Sequence, residues 1–314
     1  MTVEAFDRVQ LDGTGIDRIT EAEVVAVVRD ALARGRGGRI VTPNIDILRR
    51  AQQDEECRRH LADADLIVAD GMPLIWASRL RGTPLPERVA GSSLIWSLSA
   101  GLGLDGRSIF VLGGAPSADD ALADGATRAA DRLLARCPGL RVAGTACPPF
   151  GFDQDPQAYA DFCAKIVDAR PDLVFVGLGY PKQERMITRL RAELPQSWFI
   201  GCGAAVNFVA GDVERAPRWM QRTGLEWAHR LGTEPRRLAG RYLRHDAPYA
   251  LRLLAQAPAQ RARVRAPRPS PGPRTGQYVS SPELPVSAET AASKGVRGRD
   301  CAAALGQGRS SPAG

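Results

Sequence analysis

The sequence predicts an α/β fold: a Rossmann-like, doubly wound, mostly parallel sheet with a helical, Arg-rich C-terminal appendage and a disordered tail. Three observations predict it. Between Arg39 and Gly203 six short apolar runs alternate with helix-length stretches, each run passes into a Gly or polar turn, and the chain changes character after Gly211 and again at Ala266. Short, almost continuously apolar runs mark strands buried on both faces, and helix-length spacers join such strands as right-handed parallel crossovers.

The first run, RIVTPN (39–44), delivers Thr42 and Asn44 around Pro43 at its end. The second, DLIVAD (65–70), ends in Asp70 ahead of Gly71, and a later loop carries Arg88 within ERVAG (87–91). SIFVLGG (108–114) and LRVAGT (140–145) supply the third and fourth strands. The fifth, DLVFVGLG (172–179), leads into PKQE, where Pro181 suits a first helical turn and Glu184 its positive end. WFIGCG (198–203) is the sixth. In doubly wound sheets ligands bind beyond the carboxyl ends of the strands, so these ends hold the candidate site.

Residues 215–265 read as short helices broken by Pro217, Pro235 and Pro248, with Trp and Tyr interleaved among arginines. Residues 266–314 contain 7 Pro, 7 Gly and 7 Ser, too little apolar content to offset the entropy of ordering. The chain thus divides into an α/β core (1–214), an appendage (215–265) and a tail (266–314).

Charge follows that division. The net +7 resolves into −5 for residues 1–214, +9 for 215–265 and +3 for 266–314. A slightly acidic body with one cationic segment argues against a nucleic-acid coat and for a local anionic partner. Arg215, Arg218 and Arg222 recur at helical spacing beside Trp219, and Arg230, Arg236, Arg237, Arg241 and Arg244 continue with Trp227 and Tyr242. The run reads as a solvated helix face, a nucleic-acid binder, or a grip on phosphates and an anionic membrane; interleaved aromatics suit a headgroup layer.

The six cysteines show no CxxC spacing, so they read as buried thiols rather than a zinc site or disulfide frame. The acidic N-terminus does not resemble a signal peptide, and no apolar run reaches membrane-spanning length. The expected location is cytoplasmic unless a surface docks to a membrane.

At the strand ends Thr42 and Asn44 offer short hydrogen-bonding groups, Gln183 an amide, Arg88 a fork for phosphate, and Asp70 a candidate general base. Taken singly each has a plainer explanation. Thr-Pro-Asn and Asp-Gly are common turns and caps. GLG (177–179) lacks the dinucleotide-binding spacing, and LGGAPS (112–117) suits a helix start as well as a phosphate. His60, His229 and His245 lie outside the strand ends and read as helix-face or surface residues. Asp63 with Asp65, and Asp153 with Asp155, read as helix caps rather than a Mg²⁺ site, so no metal or cofactor is expected.

Together these motifs resemble the WecG/TagA/CpsF family of bacterial glycosyltransferases. The likeness runs over about residues 5–250 and rests on TPNIDIL (42–48), DG (70–71) followed by RVAG (88–91), PKQE (181–184), RAPRW (215–219), GLEW (224–227) and EPRR (234–237). The resemblance implies inverting transfer of a sugar, typically N-acetylmannosamine or a related hexose, from a UDP-sugar to a polyprenyl-diphosphate-linked saccharide of teichoic acid or another surface polysaccharide. It implies Asp70 as base, no metal, and a peripheral position on the inner membrane face. It also implies donor or diphosphate contacts from Thr42, Asn44, Arg88, Gln183, Arg230, Arg237 and Arg241, with homo-oligomer formation possible. One departure stands out: where the family usually reads Gly-Ala-Ala-Phe-Asp-Phe, this chain has Gly-Ala-Ala-Val206-Asn207-Phe208. The rival from another class is a non-catalytic UDP or phosphate sensor, for which an acid at position 70 would be electrostatically unfavourable.

Overall fold

In the computed structural model, residues 6–117 and 123–265 are described. The expected disorder of 266–314 lies outside the described residues. The chain opens with a β-hairpin, β1 (Arg8–Leu11) and β2 (Thr14–Asp17), turned by Asp12 and Gly13 with φ of 47° and 84°. Both values are left-handed, as a tight Asp-Gly hairpin turn requires. Asp17 is buried at its far end, where Oδ1 accepts from Arg8 Nε at 2.7 Å and Oδ2 from Ile67 N at 2.7 Å.

The main sheet contains β3 (Gly38–Val41), β4 (Leu66–Ile67), β5 (Ser108–Gly113), β6 (Arg141–Ala146), β7 (Leu173–Gly177) and β8 (Trp198–Gly201), in the order β4-β3-β8-β7-β5-β6. Every neighbouring pair is parallel, as the apolar runs predict. Alternate residues face opposite layers. Ile109, Val111, Phe175 and Ile200 pack with the helices Glu21–Ala33, Gly91–Leu104, Gly125–Arg136 and Ala205–Ala210, while Phe110, Val174 and Phe199 pack with Pro156–Ala169 and Lys182–Glu193. Burying such a side chain stabilises by about 1.5–3 kcal/mol, which is why both faces are covered.

The ladders stop short of the predicted runs. β3 ends at Val41 and β4 at Ile67, so Thr42–Asn44 and Val68–Asp70 are irregular chain leaving the sheet. These exits stay tied together: Val68 N donates to Val41 O and Asp70 N to Pro43 O, both at 3.0 Å.

Residues 215–265 form helices Arg218–Thr223, Glu226–Thr233 and Pro235–Arg241, one wider turn over Tyr242–Asp246, and a helix Ala247–Arg265. Pro217 and Pro235 sit at helix starts as expected. Pro248 does not break the helix: the chain runs on helically from Pro235 to Arg265, with the wider turn Tyr242–Asp246 directly before Ala247 and Pro248 just after it. Tyr249 and Leu253 bury this last helix against the hairpin and the helix Met72–Arg81, and Tyr249 Oη donates to Asp12 Oδ2 at 2.7 Å.

Candidate active site

A cleft of about 460 Å³, within the range of small-molecule sites, opens at the carboxyl ends of β3, β4, β5, β7 and β8. Thr42, Asn44, Asp70, Gly114, Gly177–Gly179 and Gly201–Gly203 line its floor, Pro148–Phe152 one wall, and Arg230 and Arg241 reach it from the appendage. Close packing at the floor has a backbone cause. A Cβ on Gly91 would lie 3.4 Å from Cys202 Cα and 3.6 Å from Thr42 Oγ1. The RVAG loop therefore comes against the ends of two strands.

Asp70 keeps a partial opening to the cleft, but protein surrounds the rest of it. Burial pushes its carboxyl up to about 6; Arg88 pulls the other way, Glu226 adds to the rise, and Arg230 and the Gly91 N–H oppose it. A carboxylate poised there takes up a proton at near-neutral pH more readily than an exposed aspartate.

Asn44 is the N-cap of helix Ile45–Ala51, with Oδ1 accepting from Ile47 N at 3.1 Å, so the cap explanation holds even as Asn44 borders the cleft. Gln183 is buried. Its Oε1 accepts from Gly179 N at 3.2 Å and Gly203 N at 3.1 Å, which joins the loops after β7 and β8. Its Nε2 donates to Glu184 Oε1 at 3.0 Å, which uses one of the two N–H groups of the amide. Glu184 in turn binds Arg39, a strand residue with 0% exposure that also reaches Asp63 at 3.0 Å.

Arg88 does not line the cleft. It sits beside Asp70 and donates to Glu226 Oε2 at 2.8 Å, and Arg215 Nε lies 3.6 Å from Glu226 Oε1. Arg230 enters the cleft with its guanidinium 5.5 Å from the Phe208 ring centroid. Arg241 also borders it, over Tyr242 and 3.6 Å from Asp246. The side chains of Arg218, Arg222 and Arg237 lie outside the described residues. The departure at position 207 falls inside the cleft, and Asn207 Oδ1 is buried without a hydrogen-bond partner.

Sequence reasoning missed several cleft residues. His60, expected on a helix face, is on one, but that face borders the cleft. Lys182 also borders it and pairs with Asp153 at 2.6 Å. Of the paired aspartates only Asp155 caps a helix through its side chain, accepting from Gln157 N; Asp63 and Asp65 instead pair with Arg191. LGGAPS is strand through Gly113 and irregular over residues 114–117, and the next described helix begins at Gly125 behind the Asp124 cap. Among the described residues no cluster of three or more His, Cys, Asp or Glu is arranged to hold a metal, and no helix is long and apolar enough to cross a membrane.

The family model described as "Glycosyl transferase WecG/TagA/CpsF family" matches residues 9–263. The chain is similar to the N-acetylglucosaminyldiphosphoundecaprenol N-acetyl-beta-D-mannosaminyltransferase of Bacillus spizizenii, 35% identical over 206 residues that make up 66% of this chain and 75% of the relative. The protein of the same name from Bacillus subtilis is 32% identical over 199 residues, 63% of this chain and 73% of that relative.

Proposed function

This chain belongs to the glycosyl transferase WecG/TagA/CpsF family, and from that membership we propose an inverting transfer of N-acetylmannosamine, or a related hexose, from a UDP-sugar to a polyprenyl-diphosphate-linked saccharide. The product would serve teichoic acid or another surface polymer. The observation that carries the mechanism is Asp70, a partly buried carboxylate lining a cleft that Arg230 and Arg241 also reach; the other described carboxylates of the lining, Asp46 and Glu184, are each bound by arginine.

In the proposed step the acceptor hydroxyl attacks the sugar C1 from the face opposite UDP. The new O–C1 bond forms as the bond from C1 to the diphosphate oxygen breaks; Asp70 takes the hydroxyl proton, and UDP leaves with the electron pair. Without a metal, the growing negative charge needs cations and oriented donors. Arg230 and Arg241 fill that role, with Arg237 following on the appendage, the remaining Gln183 N–H and Thr42 holding the donor, and Asn44 fixing the adjacent loop. Arg88 contributes its charge from beside Asp70. The unpartnered Asn207 oxygen suits a hydroxyl or amide hydrogen of the donor, since a buried acceptor left unpaired costs about 1–3 kcal/mol.

The decisive assay offers a panel of UDP-sugars with a synthetic short-chain prenyl-diphosphate-sugar acceptor, in EDTA. Transfer from at least one donor is expected; hydrolysis or binding without transfer would favour the sensor. Asp70 must be ionised to accept the proton, so kcat/KM should fall as pH drops through about 6. A limb near 4, the ordinary carboxylate range, would contradict that.

Membrane docking is proposed on a second observation. Trp219 and Trp227 are 60% and 48% exposed on the appendage, and Gly224 between them packs against Met72 and Trp76 of a core helix whose Trp76 is itself exposed. Aromatic rings at a cationic surface suit an anionic interface. Trp219→Ala with Trp227→Ala is expected to weaken co-sedimentation with anionic vesicles without altering the melting of the core; undiminished binding would remove the docking role.

A further inference from the structure

We propose that Glu226 is a positioning residue, a latch that registers the appendage on the core and aims Arg230 into the cleft; this rests on the transferase function proposed above. Three observations carry it. Glu226 is an appendage carboxylate held by two arginines from different places: Arg88 of the RVAG loop at 2.8 Å, and Arg215 at the junction, whose Nε lies 3.6 Å away. Arg215 is itself fixed to the first turn of helix Gly91–Leu104, through Ser92 O and Ser93 Oγ, both at 3.2 Å. Both anchors thus flank Gly91, whose backbone N–H lowers the proton affinity of Asp70.

The second observation is helical geometry. Arg230 follows Glu226 by four residues on helix Glu226–Thr233, so the two side chains share a face. Pinning Glu226 fixes the rotation of that helix and sends Arg230 over Phe208 and into the cleft. The third is that neither anchor is an isolated surface pair: the Glu226 side chain is 13% exposed, Arg88 15% and Arg215 22%. A partly buried, charge-assisted pair loses less to solvent than one on the surface.

The latch also acts on the base. The charged groups facing Asp70 are Arg88, Glu226 and Arg230. Glu226 offsets the arginines, so Asp70 keeps its affinity for a proton while Arg230 stays within reach of a leaving diphosphate.

The test uses the full chain and two variants, Glu226→Ala and Glu226→Gln. Amide hydrogen exchange reads docking directly, whether or not a sugar is transferred. Glu226→Ala should lose protection across residues 226–234 while the sheet amides stay protected, and turnover should fall tenfold or more, since small displacements of a catalytic group are costly in rate. In Glu226→Gln, whose hydrogen bond survives without the charge, the acid limb of kcat/KM should move below that of the wild type, because the negative neighbour that raises Asp70 is gone. Unchanged protection in Glu226→Ala overturns the latch. So does lost protection with turnover at or above the wild-type level, or an unmoved acid limb in Glu226→Gln. If the wild type transfers no sugar under any donor, the transferase function fails on its own account, and the exchange data still decide the latch.

Discussion

Asp70→Asn is expected to lower turnover by ~10²–10⁴, the range for loss of a general base, while leaving the fold and UDP affinity close to those of the wild type. The amide is nearly isosteric with the carboxylate and can keep an oxygen toward the Gly91 N–H that faces Asp70. Asp70 N to Pro43 O, the backbone bond that ties the two strand exits, does not involve the side chain. What disappears is the carboxylate proposed as proton acceptor in the cleft. Steady-state transfer kinetics together with calorimetric UDP titration separate the two effects. Turnover within a few-fold of the wild type would remove Asp70 from the chemistry; lost UDP binding with lost turnover would assign it to donor binding instead.

The second large effect concerns stability. Glu184→Ala is expected to destabilise the protein by about 3–5 kcal/mol, because it strands the Arg39 guanidinium in the interior. Arg39 lies on β3 with 0% exposure, and Glu184 is its buried partner, while Asp63 at 3.0 Å is half exposed and offers weaker compensation. The loss should appear as a lower urea midpoint with the slope of the transition unchanged. Replacing both partners, with Arg39→Met and Glu184→Leu, should recover most of it, since the uncompensated charge is gone. A loss below about 1 kcal/mol in Glu184→Ala would show that water reaches Arg39.

These two expectations draw on parts of the chain that differ in how much the sequence discloses. Asp70 is legible because a strand end is marked locally, by an apolar run and a following glycine, and parallel topology sends all such ends to one edge. The runs nevertheless overshoot: LIVAD and RIVTPN read as continuous strand, yet the ladders stop at Ile67 and Val41. Periodicity records burial, and Val68 and Ala69 are buried without being paired in a ladder.

The hairpin Arg8–Asp17 carries a local signal, an Asp-Gly turn between Val9, Leu11 and Ile16. Its buried Asp17 had none, because an aspartate that caps the backbone of Ile67 looks like any surface acid. Long-range pairs are the least legible. Arg39 and Glu184 are 145 residues apart, and Arg88 and Glu226 are 138 apart. Within the cationic appendage an acid such as Glu226 reads as an ordinary first-turn helix residue. The same limit hid His60, whose helix borders the cleft only because β3 and β4 lie side by side.

The central claim is a direct displacement at C1 with Asp70 as the proton acceptor and arginines facing the leaving diphosphate. The measurement that tests it most directly is the anomeric configuration of the product, read by NMR from a reaction run in EDTA with an α-linked UDP-sugar and the prenyl-diphosphate acceptor. A product with a β linkage at the transferred sugar is the predicted result. Retention of the α configuration would contradict the single displacement, and transfer that depended on an added divalent cation would contradict the arginine-based stabilisation of UDP.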